Sequence, residues 1–100
     1  MRNKLLVGAV TLLISVAGRF NGQAIELPAP KRVTLMWEYP ISSPDIVFNV
    51  YHTTNLALPK WKWTLVTNVS GRSCMLIVQP GQHFFTVTAS NKATGLESIR

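Results

Sequence analysis

One cysteine, four acidic residues and two histidines are all that 100 residues offer to most site chemistry. The single Cys74 excludes an internal disulfide and a cysteine-based metal cage. The acids are Glu26, Glu38, Asp45 and Glu97. Only Glu38 and Asp45 lie close in sequence, flanking one loop, which is a poor basis for paired-carboxylate catalysis. No GxSxG, HExxH or Walker pattern occurs, and no internal repeat or low-complexity tract. No catalytic residue, cofactor or metal site is expected. Charged residues make up 14% and hydrophobic ones 47%, a balance that excludes a disordered chain. The length allows one domain.

The formal charge of +6 is unevenly placed. Residues 1–24 hold Arg2, Lys4 and Arg19 and no acid. A basic pair, an uncharged run over residues 5–17 and the small-x-small triplet Gly22-Gln23-Ala24 read together as an export signal. Arg19 ends the run short of the roughly 20 residues a membrane span needs. The expected destination is secreted or extracytoplasmic, with cleavage after Ala24 or, failing that, Ala17. The alternative is an anchor left uncleaved at the N-terminus. Cleavage after Ala24 leaves seven basic residues against four acids, +3, and these are scattered. That charge does not argue for nucleic acid, and membrane contact is expected only through the export signal.

After residue 24 no helical period persists. Arg32-Val33-Thr34-Leu35-Met36-Trp37-Glu38 alternates, with Val33, Leu35 and Trp37 on one face. Ile46-Val47-Phe48-Asn49-Val50-Tyr51-His52 places Ile46, Phe48 and Val50 together. Residues 73–78 align Cys74, Leu76 and Val78, and residues 83–90 align His83, Phe85, Val87 and Ala89. Residues 61–69 are β-prone but less regular. Ser70-Gly71, Pro80-Gly81 and residues 91–95 are turn signals. Short strands with turns every 8–12 residues predict an all-β antiparallel sandwich.

The order of these pieces resembles a fibronectin type III domain, within the immunoglobulin-like sandwiches, over residues 33–98. Val33-Thr34-Leu35-Met36-Trp37 looks like strand B, Phe48-Asn49-Val50-Tyr51 like strand C, and Trp63-Thr64-Leu65-Val66 like C′. Val78-Gln79-Pro80-Gly81 is similar to the turn between E and F. Phe85-Thr86-Val87-Thr88-Ala89-Ser90-Asn91 with Gly95-Leu96-Glu97-Ser98 looks like strand F and the turn after it. The resemblance divides the chain into a signal (1–24), a lead-in or short edge strand (25–32) and a domain (33–100). It departs at three places. His83 stands where the family has a tyrosine at the start of F. Strand A is short, at most Ile25 to Leu27. Strand G is missing or vestigial. The core implied is Val33, Leu35, Trp37, Phe48, Val50, Leu76, Val78, His83, Phe85, Val87 and Ala89.

The function this implies is a non-catalytic module that binds a protein or carbohydrate partner. Two alternatives stand beside it: an assembly subunit completing its sheet by strand donation or self-association, and a truncated piece of a larger extracellular protein. Lys60-Trp61-Lys62-Trp63 interleaves cation and aromatic and is the candidate binding patch, with both indoles on one strand face. The same residues also suit edge packing. The end of strand C lies near the start of F in this fold, so His52 and His83 are expected to approach. Cys74, facing inward, suits a small hydrophobe. Asn68-Val69-Ser70 fits a glycosylation sequon.

Overall fold

Period-two alternation becomes inside and outside on two antiparallel sheets. The computed structural model describes residues 10–16, 19–21, 24–40 and 43–98. They form β1 (Thr11–Val16), β2 (Arg19–Asn21), β3 (Ala24–Leu27), β4 (Lys31–Glu38), β5 (Ile46–Thr53), β6 (Thr64–Val69), β7 (Ser73–Val78), β8 (Gly81–Asn91) and β9 (Leu96–Glu97). One 3-10 turn, Lys60–Lys62, precedes β6. The first sheet runs β2-β1-β4-β7; the second runs β3-β8-β5-β6, with β9 also on β8. The chain is all-β, consistent with a sandwich.

The core gathers the inner faces of both sheets. Ile14, Val33 and Leu35 from the first meet Phe48, Val50, Phe85 and Val87 from the second. The expected core residues are buried, except that Leu76 is half-buried against the cluster. Such burial drives the packing, at about 1.5–3 kcal/mol for each large side chain.

Two features differ from the expected layout. The short strand at residues 25–27 exists, but it lies along β8, with Ile25 opposite His83 and Leu27 opposite Gly81. The place beside β4 is taken by β1, with Leu12 opposite Trp37 and Ile14 opposite Leu35. Leu12 and Ile14 point into the core and Leu13 points out. Cleavage after Ala24 would therefore take β1 and β2 out of the first sheet. Arg2, Lys4 and residues 22–23 of the expected cleavage triplet lie outside the described residues. Among the described residues, no helix is long and apolar enough to cross a membrane.

Leu96 and Glu97, expected within the turn that follows residues 85–91, form the two-residue strand β9. It covers β8 only at Ser90 and Asn91, while β3 covers residues 81–84. The two segments thus lie end to end along one edge of β8. Side chains reinforce the two-residue β9. The Glu97 carboxylate accepts from the Tyr51 hydroxyl at 2.7 Å, the Asn49 amide at 3.3 Å and the Thr88 hydroxyl. Ser98 N–H donates to Ala89 O at 2.8 Å, and Ala89 N–H donates to Ser98 Oγ at 2.9 Å. Gly95, at φ 79°, makes the left-handed turn that brings β9 back.

Candidate functional site

The structure splits the expected Lys60–Trp63 patch. Alternating Lys and Trp read as a strand, but Lys60–Lys62 is a 3-10 turn after Pro59. At about three residues per turn, positions two apart point away from each other. Trp61 is 70% exposed and Trp63 only 6%. The two indoles therefore share no face. Trp63 donates its indole N–H to Leu58 O at 3.1 Å and closes the connection between β5 and β6. Lys60 Nζ sits 6.0 Å from the Trp63 ring, and Lys62 Nζ sits 5.1 Å from the Trp61 ring. What remains at the surface is one indole with one ammonium over it. Trp63→Ala is expected to lower stability by about 3–5 kcal/mol, and Trp61→Ala to change it by less than about 0.5 kcal/mol. Urea unfolding of the two variants checks the contrast.

A different site lies between the sheets, where edge strands β6 and β7 leave them open. His52 from β5, Val66 from β6, Leu76, Ile77 and Val78 from β7, and His83 and Phe85 from β8 line a cleft of about 220 Å³. Gln79, after β7, also lines it. At about 30 Å³ per liquid water, that space takes one or two apolar side chains. A bulge brings Val66 to it. Val50 pairs with Thr67 and Tyr51 with Leu65, so Val66 is the extra residue on β6. Neither β6 (TLVTNV) nor β7 (SCMLIV) carries a charged residue. Leu65, Val66, Met75 and Ile77 are exposed on them, Ile77 at 66%. Exposed edges usually carry lysine or proline against unwanted pairing; these two do not. That absence is the sequence signal that points to this face.

The two histidines meet at the cleft floor. His52 ends the inward face of β5 and His83 begins that of β8; the pairing of His52 with Phe85 brings them close. His52 Nε2 and His83 Nδ1 are 2.8 Å apart. Ring centroids are 5.0 Å apart and the planes differ by 28°, so the rings meet nitrogen to nitrogen, edge to edge. The other His83 nitrogen, Nε2, lies 2.7 Å from Gln79 O. A carbonyl only accepts, which assigns the His83 proton to Nε2. Neutral His83 then offers the Nδ1 lone pair, and His52 donates to it from Nε2. Phe85 packs against His52 at 4.9 Å. Burial, and then the neighbouring His83, hold His52 below its ordinary 6.5.

Cys74 is half-buried on β7, and burial pushes its thiol pKa up. That shift favours the thiol over the thiolate. Among the described residues, no three His, Cys, Asp or Glu side chains converge as metal ligands. Asn68 is exposed, and its side-chain nitrogen, the atom a glycan would take, donates to Asn49 Oδ1 at 2.6 Å. No family model matches the chain, and no curated protein or solved structure matches it.

Proposed function

We propose that the chain is a non-catalytic interaction module of the fibronectin type III kind, and that its cleft binds an extended apolar segment of a protein partner. The observation that carries this reading is the cleft between two charge-free edge strands. Both are the last strands of their sheets, and at such an edge an added strand pairs through its backbone while its alternate side chains enter a pocket. The strand order supports the family part of the reading. β1-β4-β7 corresponds to A-B-E, and β8-β5-β6 corresponds to F-C-C′, with β3 and β9 sharing the place of G.

The test uses lysine-flanked heptapeptides with alternating valine and isoleucine, titrated into the full chain by calorimetry. Binding is expected, and Ile77→Lys on the rim is expected to weaken it at least about tenfold, since burying such a side chain is worth about 1.5–3 kcal/mol. Ile77 is exposed, so the variant should keep its melting temperature. No binding, or equal binding by Ile77→Lys, would remove this reading. A carbohydrate partner is favoured by one separate observation, the exposed Trp61 with Lys62 over its ring. Retention on immobilised glycans that Trp61→Ala abolishes would support it.

A further inference from the structure

The His52–His83 contact sits where a proton would matter most. In the neutral pair, both imidazole N–H groups have an acceptor: His52 Nε2–H to His83 Nδ1, and His83 Nε2–H to Gln79 O. One added proton is tolerated. It sits on His52 Nδ1, or on His83 Nδ1 once His52 changes tautomer, and the bond between the rings survives. A second proton leaves N–H facing N–H at 2.8 Å between two cations. The Gln79 link ties His83 of β8 to the connection that follows β7.

Among the described residues, the strands around the pair supply no counter-charge. β5, β6, β7 and β8 contain no Asp, Glu, Lys or Arg; beyond the histidines their titratable groups are Tyr51 and Cys74. Tyr51 is bonded to Glu97 of β9. Glu26 of β3 is opposite Gln82, on the strand face away from Ile25 and His83, and is exposed. From β4, Lys31 and Arg32 pair with Val78 and Ile77, and Lys60 and Lys62 precede β6; these are cations.

We propose that the His52–His83 pair is a proton-operated latch on the cleft: the neutral pair holds the cleft in its binding shape, and double protonation parts the rings and releases the occupant. This rests on the reading of the cleft as the binding site and gives that site its regulation. A partner bound at neutral pH is let go in an acidic compartment. The low affinity of His52 for a proton has a consistent sign. At His52 the folded chain binds fewer protons than the unfolded one as pH falls through 6.5, so this residue's contribution to stability falls as pH drops through that value.

The test follows the full chain from pH 7.5 to 5 with two readouts. Nile red, uncharged over this range, probes the cleft, and imidazole 15N shifts report tautomer and protonation. Dye affinity is expected to fall at least about tenfold, the equivalent of one pKa unit, while the rings titrate in two separated steps. His52→Gln keeps an N–H for His83 but cannot be protonated, and its dye affinity is expected to stay level. Equal dye affinity at both pH values, or the same loss in His52→Gln, would overturn the latch. If the dye binds at no pH, the heptapeptide titration decides the binding reading, and the rings still decide the latch. Separated steps uphold the proton coupling, and two independent titrations near the ordinary value overturn it.

Discussion

A chain that begins at Ile25 is expected to lose cooperative unfolding, and a synthetic peptide of residues 10–16 is expected to restore it. The reason lies beside β4. β1 contributes five register pairs to that strand, from Thr11 with Glu38 to Ser15 with Thr34. It also contributes Leu12 and Ile14 to the core, Ile14 at 0% exposure. Removing it forfeits about 1.5–3 kcal/mol for each of those side chains. It also uncovers Val33 and Leu35, both fully buried, and frees the β4 backbone edge. Domains of this size hold roughly 5–15 kcal/mol in all, so the loss takes a large share of it. Circular dichroism melts with sedimentation measure the outcome. Rescue in trans would show that the β4 edge accepts a donated strand, the behaviour an assembly subunit needs. A sharp monomeric transition without the peptide would show β1 to be dispensable and leave the N-terminal run free to act as a leader.

Local alternation made β4, β5, β7 and β8 legible, because a strand with one buried face repeats every two residues. The approach of His52 and His83 followed from the resemblance, which implies that the strands carrying them are antiparallel neighbours. What stayed hidden depends on contacts distant in sequence. Nothing in Ala-Ile-Glu-Leu says that β3 joins β8 and not β4. The run at residues 11–16 is apolar enough for a leader and alternates enough for a strand, and its own sequence does not choose. The Lys-Trp-Lys-Trp pattern misled for a local reason: Pro59 opens a 3-10 turn that sets Trp61 and Trp63 on different sides. The cleft was hidden because it exists only where two edges fail to meet. Its trace in the sequence was a lack, two adjacent strands without a charge.

Phe48→Ala is expected to lower stability by about 3–5 kcal/mol. Phe48 is 2% exposed and stands on β5, which is hydrogen-bonded on both sides, opposite Val69 of β6 and Ala89 of β8. Its ring meets Trp37 at 5.7 Å and 55°, and Tyr39 at 5.8 Å and 81°. Tilted and edge-on aromatic pairs add about 0.5–1.5 kcal/mol beyond the area they bury. The Arg72 guanidinium carbon lies 5.3 Å from the same ring, so the β6–β7 connection is held to the core through it as well. Truncation to alanine empties a space walled by paired strands, which relax little, and the cavity remains as a cost. Phe48→Leu keeps most of the volume and is expected to cost less than half as much as the alanine. Urea unfolding with unchanged slope measures both. A loss under about 1.5 kcal/mol for Phe48→Ala would mean that the two sheets close over the gap, and that the sandwich is held chiefly by its other aliphatic contacts.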